Sequence, residues 1–187
     1  MALSKPLIQR RSKRRIRTWA AFSLALVTAF SFAAGVWSAP PDEYQVKATF
    51  LFNFAKFVEW PPNAFADANT PYVIGVLGQD PFGSYLDETV RGERVNNRPL
   101  VVQRYRHAGE IRHCHVLFIS RSESEHLDQI VSSLKDRDIL TVTDAAGGNG
   151  GVVIRFITEG NRIRFKIDVQ AARVANLTIS SKLLRLA

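Results

Sequence analysis

The chain has 187 residues, of which 46% are hydrophobic and 22% are charged, so it is long enough for one domain and too apolar to be wholly disordered. Its formal charge of +8 is concentrated at the N-terminus, because seven of the 25 basic residues precede residue 18 and every acidic residue follows residue 41. The rest of the chain is nearly neutral, which argues against a nucleic-acid-binding domain. The single cysteine excludes an internal disulfide and a zinc site built from several thiolates.

The N-terminal segment has the order of a secretory signal peptide. A basic stretch is followed by an apolar stretch from Trp19 to Trp37 and then by small residues. Cleavage before Ala39 satisfies the small-residue preference of the cleavage site. The sequence therefore predicts a signal peptide over residues 1–38 and an exported domain over residues 39–187. The alternative is an uncleaved anchor, because the apolar stretch approaches the ~20 residues that a membrane span needs.

Hydrophobic periodicity and turn residues predict strands that first alternate with helices and then pair as a hairpin. The predicted helices are 41–60, 80–90, 122–134 and 170–175. The predicted strands are 72–77, 100–105, 115–119, 139–142, 152–157 and 163–169. This order predicts a single-domain α/β fold, with a mixed sheet that has a parallel part and an antiparallel C-terminal hairpin and is flanked by helices. Ser122 is expected to cap the third helix, with Glu125 completing a capping box.

The first predicted helix carries six aromatic residues between Tyr44 and Trp60. Its apolar side chains span roughly 200° of the helix circumference, about twice the width that an ordinary surface helix buries. Lys47 falls inside this apolar arc, and Phe52 lies at the edge of the polar arc. One interpretation is a deeply buried helix from which Lys47 snorkels to solvent. The other is a partner or dimer surface to which Lys47 and Phe52 contribute.

The sequence His113-Cys114-His115 contains residue types that bind transition metals. On a strand the two histidines share one face and Cys114 points to the other, so the triplet alone cannot close a tetrahedral site. We therefore predict no metal site and no cofactor. A buried, structural Cys114 is one interpretation. A redox-active or intermolecular thiol is the alternative, because the cysteine is unpaired in an exported protein.

Cations alternate with apolar residues along the last predicted strand, at Arg162, Arg164 and Lys166. This alternation predicts one buried face and one basic face. A turn at Glu159-Gly160 would place Arg155 opposite Arg164, where like charges repel unless an anion matches them. The basic face is either a solvated outer surface or a binding surface for an acidic partner, formed by Arg155, Arg164 and Lys166.

The sequence contains none of the common catalytic motifs. It lacks a GxSxG elbow, an HExxH helix, a Walker lysine and a persuasive pair of acids. Asp136, Asp138 and Asp144 lie at predicted ends of strands and helices, where solvation is a sufficient explanation for an acid. The sequence therefore predicts a protein that is not an enzyme and has no catalytic residues.

Five sequence blocks, in order, resemble the YfiR family. The block VKATFLFNFAKFVEWP at 46–61 is similar to the family's opening helix, and VIGVLGQDPFG at 73–83 is similar to its first strand and turn. The later blocks are 114–120, 139–144 and 179–187. The similarity spans about residues 42–187. Some relatives use several cysteines in disulfides, whereas this chain has only Cys114.

The resemblance implies a small periplasmic regulatory binding protein. Such a protein binds the periplasmic sensor domain of a membrane-bound diguanylate cyclase and represses it, which lowers cyclic di-GMP signalling and biofilm formation. The expected partner is that domain or another sensor, with a homodimer as an alternative. No nucleic acid and no stable membrane insertion after leader removal are expected. Two other functions stay open at this point: a small-ligand-binding module that serves a transporter or sensor kinase, and a hydrolase with an unrecognised site.

Overall fold

The computed structural model describes residues 43–148, 150–160 and 162–187. The predicted signal peptide and its cleavage site lie outside the described residues. The helices are α1 (Glu43–Phe57), α2 (Ser84–Val90), α3 (Leu127–Ser133), α4 (Val169–Val174) and α5 (Ser181–Leu184). The strands are β1 (Val58–Glu59), β2 (Tyr72–Leu77), β3 (Arg94–Val95), β4 (Arg98–Tyr105), β5 (Val116–Ile119), β6 (Leu140–Thr143), β7 (Ile154–Glu159), β8 (Arg162–Ile167) and β9 (Thr178–Ile179). None of the described helices has the length and apolar character of a membrane span.

Seven strands form one mixed sheet in the order β3-β4-β2-β5-β6-β7-β8. The five central strands are parallel, and they are β4, β2, β5, β6 and β7 in spatial order. The two edge strands, β3 and β8, each pair antiparallel with their neighbour. A separate two-stranded sheet of β1 and β9 joins the end of α1 to the C-terminal segment. The predicted fold class is confirmed, because the domain is α/β with a parallel part, an antiparallel C-terminal hairpin and flanking helices.

Helices cover the two faces of the sheet with separate apolar clusters. On one face, here called the α1 face, α1 and α2 pack on alternate residues of the central strands, including Ile74, Val116 and Phe118. On the opposite face, here called the α3 face, Leu127 and Ile130 of α3 join a second cluster. The strand residues of that second cluster are Leu77, Tyr105, Leu117 and Ile119. The sheet is therefore buried on both sides at its centre, as parallel sheets usually are.

Helix α1 is buried along most of its length. Leu51 and Phe54 are fully buried, and the Phe54 ring lies 5.9 Å from that of Phe156 and 5.2 Å from that of Phe165. These contacts attach α1 to the C-terminal hairpin. The helix gives way to β1 before Pro61, because proline cannot donate the backbone hydrogen bond that a helix interior requires. The buried-helix interpretation of this segment is confirmed.

The predicted helix over 122–134 differs from the observed structure at its start. Residues Arg121–His126 form a 3₁₀ segment, and the α-helical part begins only at Leu127. The cap is Ser120, whose hydroxyl accepts from the Ser122 N–H. The prediction of Ser122 as the cap is wrong, because the Ser122 hydroxyl instead accepts from the Gln79 N–H at 2.9 Å. Ser122 therefore joins this segment to the end of β2.

The hairpin of β7 and β8 forms as predicted, but its register differs by two residues. Glu159 pairs with Arg162, and Gly160 lies in the turn that follows β7. Arg155 consequently lies opposite Lys166, and Arg164 lies opposite Ile157. The predicted Arg155–Arg164 pair is wrong. Because the shift is an even number of residues, it leaves every side chain on its predicted face.

Candidate functional site

The α3 face of the sheet is not covered by a helix where it reaches the hairpin. Arg155 pairs with Thr143 and therefore lies on the α3 face. The residues of β7 and β8 on this face are Arg155, Ile157, Glu159, Arg162, Arg164 and Lys166, here called the hairpin face. The cations of β8 are exposed, whereas Arg155 and Ile157 are half-buried. The result is a basic surface beside α3, with one apolar side chain at its centre.

Four of the six residues of the hairpin face are cations and one is an anion. The Arg164 Nε lies 3.1 Å from Glu159 Oε2, and these side chains are 59% and 58% exposed. A pair that is so exposed contributes little stability and stays available to another anion. Arg155 donates a hydrogen bond to the carbonyl of Ala145, which orients its guanidinium beside the loop after β6. The face therefore keeps an excess of positive charge.

A second charged cluster is buried between α1 and the end of β6. The Lys47 side chain is fully buried, and its Nζ lies 2.5 Å from Asp144 Oδ2. Lys47 also donates to the Glu43 carboxylate, one turn earlier in α1. Arg121 lies 3.1 Å from Asp144 and 3.2 Å from Glu43. The Tyr44 hydroxyl donates to Asp144 at 3.1 Å.

These contacts shift two titrating groups of the buried cluster. The hydrogen bond from Lys47, together with its charge and that of Arg121, lowers the pKa of Glu43 below its ordinary value. Burial, with the negative charge of Asp144, raises the pKa of Tyr44 to about 12. The prediction that Lys47 snorkels is therefore wrong, as is the prediction that Asp144 is solvated. Lys47 and Asp144 can both stay charged in the core because their opposite charges stabilise each other.

Lys47 and Phe52, the two residues of α1 predicted to bind a partner, both lie in or beside the core. Lys47 exposes no surface, so in this structure it acts on any partner only through the position of α1. Phe52 is 9% exposed, and the Lys56 Nζ lies 3.8 Å from its ring centroid. A role for these two residues in partner binding stays a prediction.

The His113-Cys114-His115 segment directly precedes β5, and its last two residues are buried in the core. His115 Nδ1 accepts from the Val73 N–H at 3.0 Å, and its Nε2 lies 3.2 Å from the Ala64 carbonyl. Because Nδ1 accepts, the ring is neutral and donates through Nε2. Burial lowers the pKa of His115 to about 4. His113, by contrast, is exposed.

Cys114 is a free and buried cysteine. Its Sγ lies 3.2 Å from the Val116 carbonyl, and burial raises its pKa to about 12. A thiol with a raised pKa forms little thiolate, so the surroundings of Cys114 favour a structural role. Its redox role stays a prediction. Among the described residues, no group of three His, Cys, Asp or Glu side chains is arranged to hold a metal ion.

A groove of about 500 Å³ lies between α3 and α4. Its apolar lining includes Val131, Leu134 and Val174, and its polar lining includes Asp128 and Asp168. The Asp168 side chain already accepts from the Ala171 N–H at 2.9 Å as the cap of α4. The lining of the groove therefore combines apolar side chains with charged ones that are mostly acidic, with Lys135 as a cation among them.

Sequence reasoning missed the buried cluster. Asp144 is 97 residues from Lys47, and Arg121 is 78 residues from Glu43, so no local pattern joins them. One signal was available, because a lysine inside an apolar arc needs either a route to solvent or a buried acid. The sequence does not show which acid supplies that partner.

The family resemblance is supported over nearly the whole described domain. A sequence profile described as YfiR/HmsC-like matches residues 44–187. A search of curated proteins gives no match. The matched family consists of periplasmic proteins with a regulatory rather than a catalytic role, and it supports a function in the control of diguanylate cyclases.

Proposed function

Because the chain belongs to the YfiR/HmsC-like family, we propose that it represses a membrane-bound diguanylate cyclase by stoichiometric binding to the cyclase's periplasmic sensor domain. Repression lowers cyclic di-GMP and biofilm formation. The observation that carries this proposal is the profile match, which extends from the second residue of α1 to the C-terminus. No turnover is involved, and the expected outcome of binding is an inactive cyclase.

The hairpin face is the proposed contact surface for the sensor domain. Arg155, Arg164 and Lys166 place positive charge beside the half-buried Ile157 on a part of the sheet that no helix covers. Charges around an apolar centre are typical of a protein interface. Phe52 is proposed to add an edge contact from α1, and Lys47 to act by fixing α1 in place.

Export is part of the proposal. Residues 1–38 would act as a cleavable signal peptide, which releases residues 39–187 into the periplasm. Mass spectrometry of the periplasmic fraction tests this step, because a chain that begins at Ala39 is expected there. An intact N-terminus in the membrane fraction contradicts it and favours the uncleaved anchor.

The function itself is tested in cells that contain the cognate cyclase. Deletion of this protein should raise cyclic di-GMP, and the wild-type chain should restore the lower level. Arg155→Glu combined with Lys166→Glu should fail to restore it at matched abundance. The control is Arg173→Glu combined with Arg185→Glu, which changes the net charge equally at exposed positions outside the hairpin face. Full repression by both double variants contradicts the proposed surface, and an unchanged cyclic di-GMP level after deletion contradicts the proposed function.

The groove between α3 and α4 favours a second candidate function, a periplasmic small-ligand-binding module that serves a transporter or sensor kinase. Its volume of about 500 Å³ lies in the range of small-molecule sites. Val174→Trp would fill the groove without touching the hairpin face. Loss of a ligand-induced rise in melting temperature in this variant, with repression intact, would separate the two functions.

A further inference from the structure

Strand β8 leaves one edge of the seven-stranded sheet open. It is the last strand in the sheet and pairs only with β7, and no described strand pairs with its outer edge. Its six residues extend over about 20 Å. In an antiparallel edge strand, alternate residues direct their N–H and C=O groups away from the neighbouring strand. β8 therefore presents a row of backbone donors and acceptors long enough to hold another strand.

The positive charge on β8 favours an added strand that carries acidic side chains. Arg162, Arg164 and Lys166 are exposed and lie on one face, at every second residue. Residues directly opposite each other in paired strands share a face. An added strand with acids at every second position would therefore set each acid beside one of these cations, while its other residues would join Ile163 and Ile167 on the α1 face.

Strand β4 lies beside the short edge strand β3 at the other side of the sheet, and its cations have different partners from those of β8. Arg104 on β4 is already neutralised, since it lies 2.7 Å from Asp80 and forms a second ion pair with Asp87. Arg98 on the same strand donates to two backbone carbonyls and lies over the Phe65 ring. The cations of β4 are thus used within the fold. On β8, the one described ion pair is the exposed contact between Arg164 and Glu159.

A second copy of this chain fits the edge poorly. Two β8 strands paired together would set cations against cations, which destabilises a sheet. The geometry points to β8 as the docking edge for an extended acidic segment of the partner protein, which adds to the sheet as an eighth strand. This inference rests on the proposed function, because it gives the manner in which the sensor domain is bound.

A synthetic peptide tests the inference without the partner. The probe is an end-capped eight-residue peptide in which Glu alternates with Val or Thr, and the readouts are its affinity and the hydrogen exchange of β8 amides. Binding should slow exchange at alternate β8 amides by tenfold or more. A peptide of the same composition with its acids grouped at one end should bind at least tenfold more weakly.

Two N-methylated peptides separate strand addition from charge attraction. One carries N-methyl groups on the odd-numbered amides and the other on the even-numbered amides, so their charges are identical. Only one set of amides faces β8 in an added strand, and methylation of that set should abolish binding while methylation of the other should leave most of it. Equal binding by the two peptides would overturn the inference.

Charge reversal gives an independent check. Arg162→Glu combined with Lys166→Glu should weaken binding of the acidic peptide by about tenfold and improve binding of a peptide with Lys in place of Glu. Arg173→Glu combined with Arg185→Glu is the matched control and should bind the acidic peptide like the wild type. Vesicles containing anionic phospholipid form a further arm. If the wild type binds these vesicles through the same cations and does not bind the peptide, the surface is a membrane contact and the inference fails.

The outcomes also separate this inference from the proposed function. If the chain represses the cyclase but the peptide protects no β8 amide at millimolar concentration, strand addition fails and repression stands. If the peptide adds to β8 but deletion of the protein leaves cyclic di-GMP unchanged, the docking edge stands and the proposed cyclase partner fails.

Discussion

Lys47 and Arg164 carry the same formal charge in opposite surroundings. Lys47 is fully buried, with its ammonium 2.5 Å from the buried Asp144 carboxylate. Arg164 is 59% exposed and contacts Glu159, which is equally open to water. A buried charge without its partner costs several kcal/mol, whereas an exposed pair is worth less than about 1 kcal/mol. The buried cluster therefore contributes to the stability of the domain, whereas the cations of the hairpin face are available to bind a partner.

This comparison also explains why the hairpin face tolerates crowded cations. Arg155 and Lys166 lie opposite each other on paired strands, which destabilises a sheet in the absence of an anion. Lys166 is exposed to water, which weakens this repulsion, so the domain can fold with the two cations opposite each other. A similar pair of cations beside Lys47 would meet a far stronger repulsion in the core.

The largest expected effect follows from removing the buried cation. Lys47→Met should lower the free energy of unfolding by about 3 kcal/mol, because the buried Asp144 carboxylate would keep only the more exposed Arg121 as a cationic partner. Urea denaturation monitored by circular dichroism measures this loss. Lys56→Met is the control, since Lys56 is an exposed lysine on the same helix.

Replacement of both partners sharpens this prediction. Lys47→Met combined with Asp144→Leu should recover much of the lost stability, because buried ion pairs can often be exchanged for apolar groups. A single Lys47→Met variant as stable as the wild type would show that the ion pair is not required in the core.

The next effect concerns His115, a buried polar group that is neutral. Its folded pKa of about 4 lies below the ordinary value of 6.5, so the unfolded chain binds more protons between these two values. Stability should therefore fall as the pH drops from 6.5 towards 4, by roughly 3 kcal/mol in total. Urea unfolding between pH 7 and pH 4.5 measures this slope.

Two variants isolate His115 from the acids that titrate at lower pH. His115→Gln should be less stable at pH 7 and should show a flatter dependence on pH. His113→Gln should keep the wild-type slope, because His113 is exposed. Identical slopes in the wild type and His115→Gln would contradict the buried neutral state of this ring.

A smaller effect is expected for the buried thiol. Cys114→Ala should lower the free energy of unfolding by about 1–2 kcal/mol at most, because a buried cysteine behaves as a small apolar side chain. The folded protein should also react slowly with a thiol reagent until it is unfolded. Rapid labelling of the native protein, or a reducing agent that abolishes repression, would restore the redox interpretation.

The sequence predicted the strands well where local pattern decides the structure. The strand over 72–77 matches β2 at both ends, because its residues are apolar throughout and a proline precedes it. The α3 helix was placed less well, since the Ser120 cap and the Ser122 contact with Gln79 depend on the end of β2. Such contacts join segments that are distant in the sequence, so secondary-structure propensity within a short stretch of residues does not predict them.

Local sequence pattern likewise predicted some features of the candidate site and not others. The alternation of cations along β8 follows from the period of a strand, so the basic face could be predicted from Arg162, Arg164 and Lys166. The hairpin register could not, because two turns one residue apart compete and their pairings differ by two residues. The buried position of Asp144 was also beyond local pattern, because it depends on how α1 lies across the sheet.

The smallest effect on stability, and the clearest on function, is expected for Arg164→Glu. Its free energy of unfolding should change by no more than about 0.5 kcal/mol, because the Glu159 contact is exposed. Association with the sensor domain should nevertheless slow severalfold at low ionic strength, since surface charge steers the approach of an acidic partner. The Debye length falls from about 30 Å at 0.01 M salt to about 10 Å at 0.1 M, so the difference in association rate from the wild type should shrink as salt is added.

Arg173→Glu is the control, because it changes the net charge equally outside the hairpin face, and it should alter the association rate less. Equal association rates of the two variants at every salt concentration would show that the hairpin face does not guide the partner, and the contrast with the buried cluster would then concern stability alone.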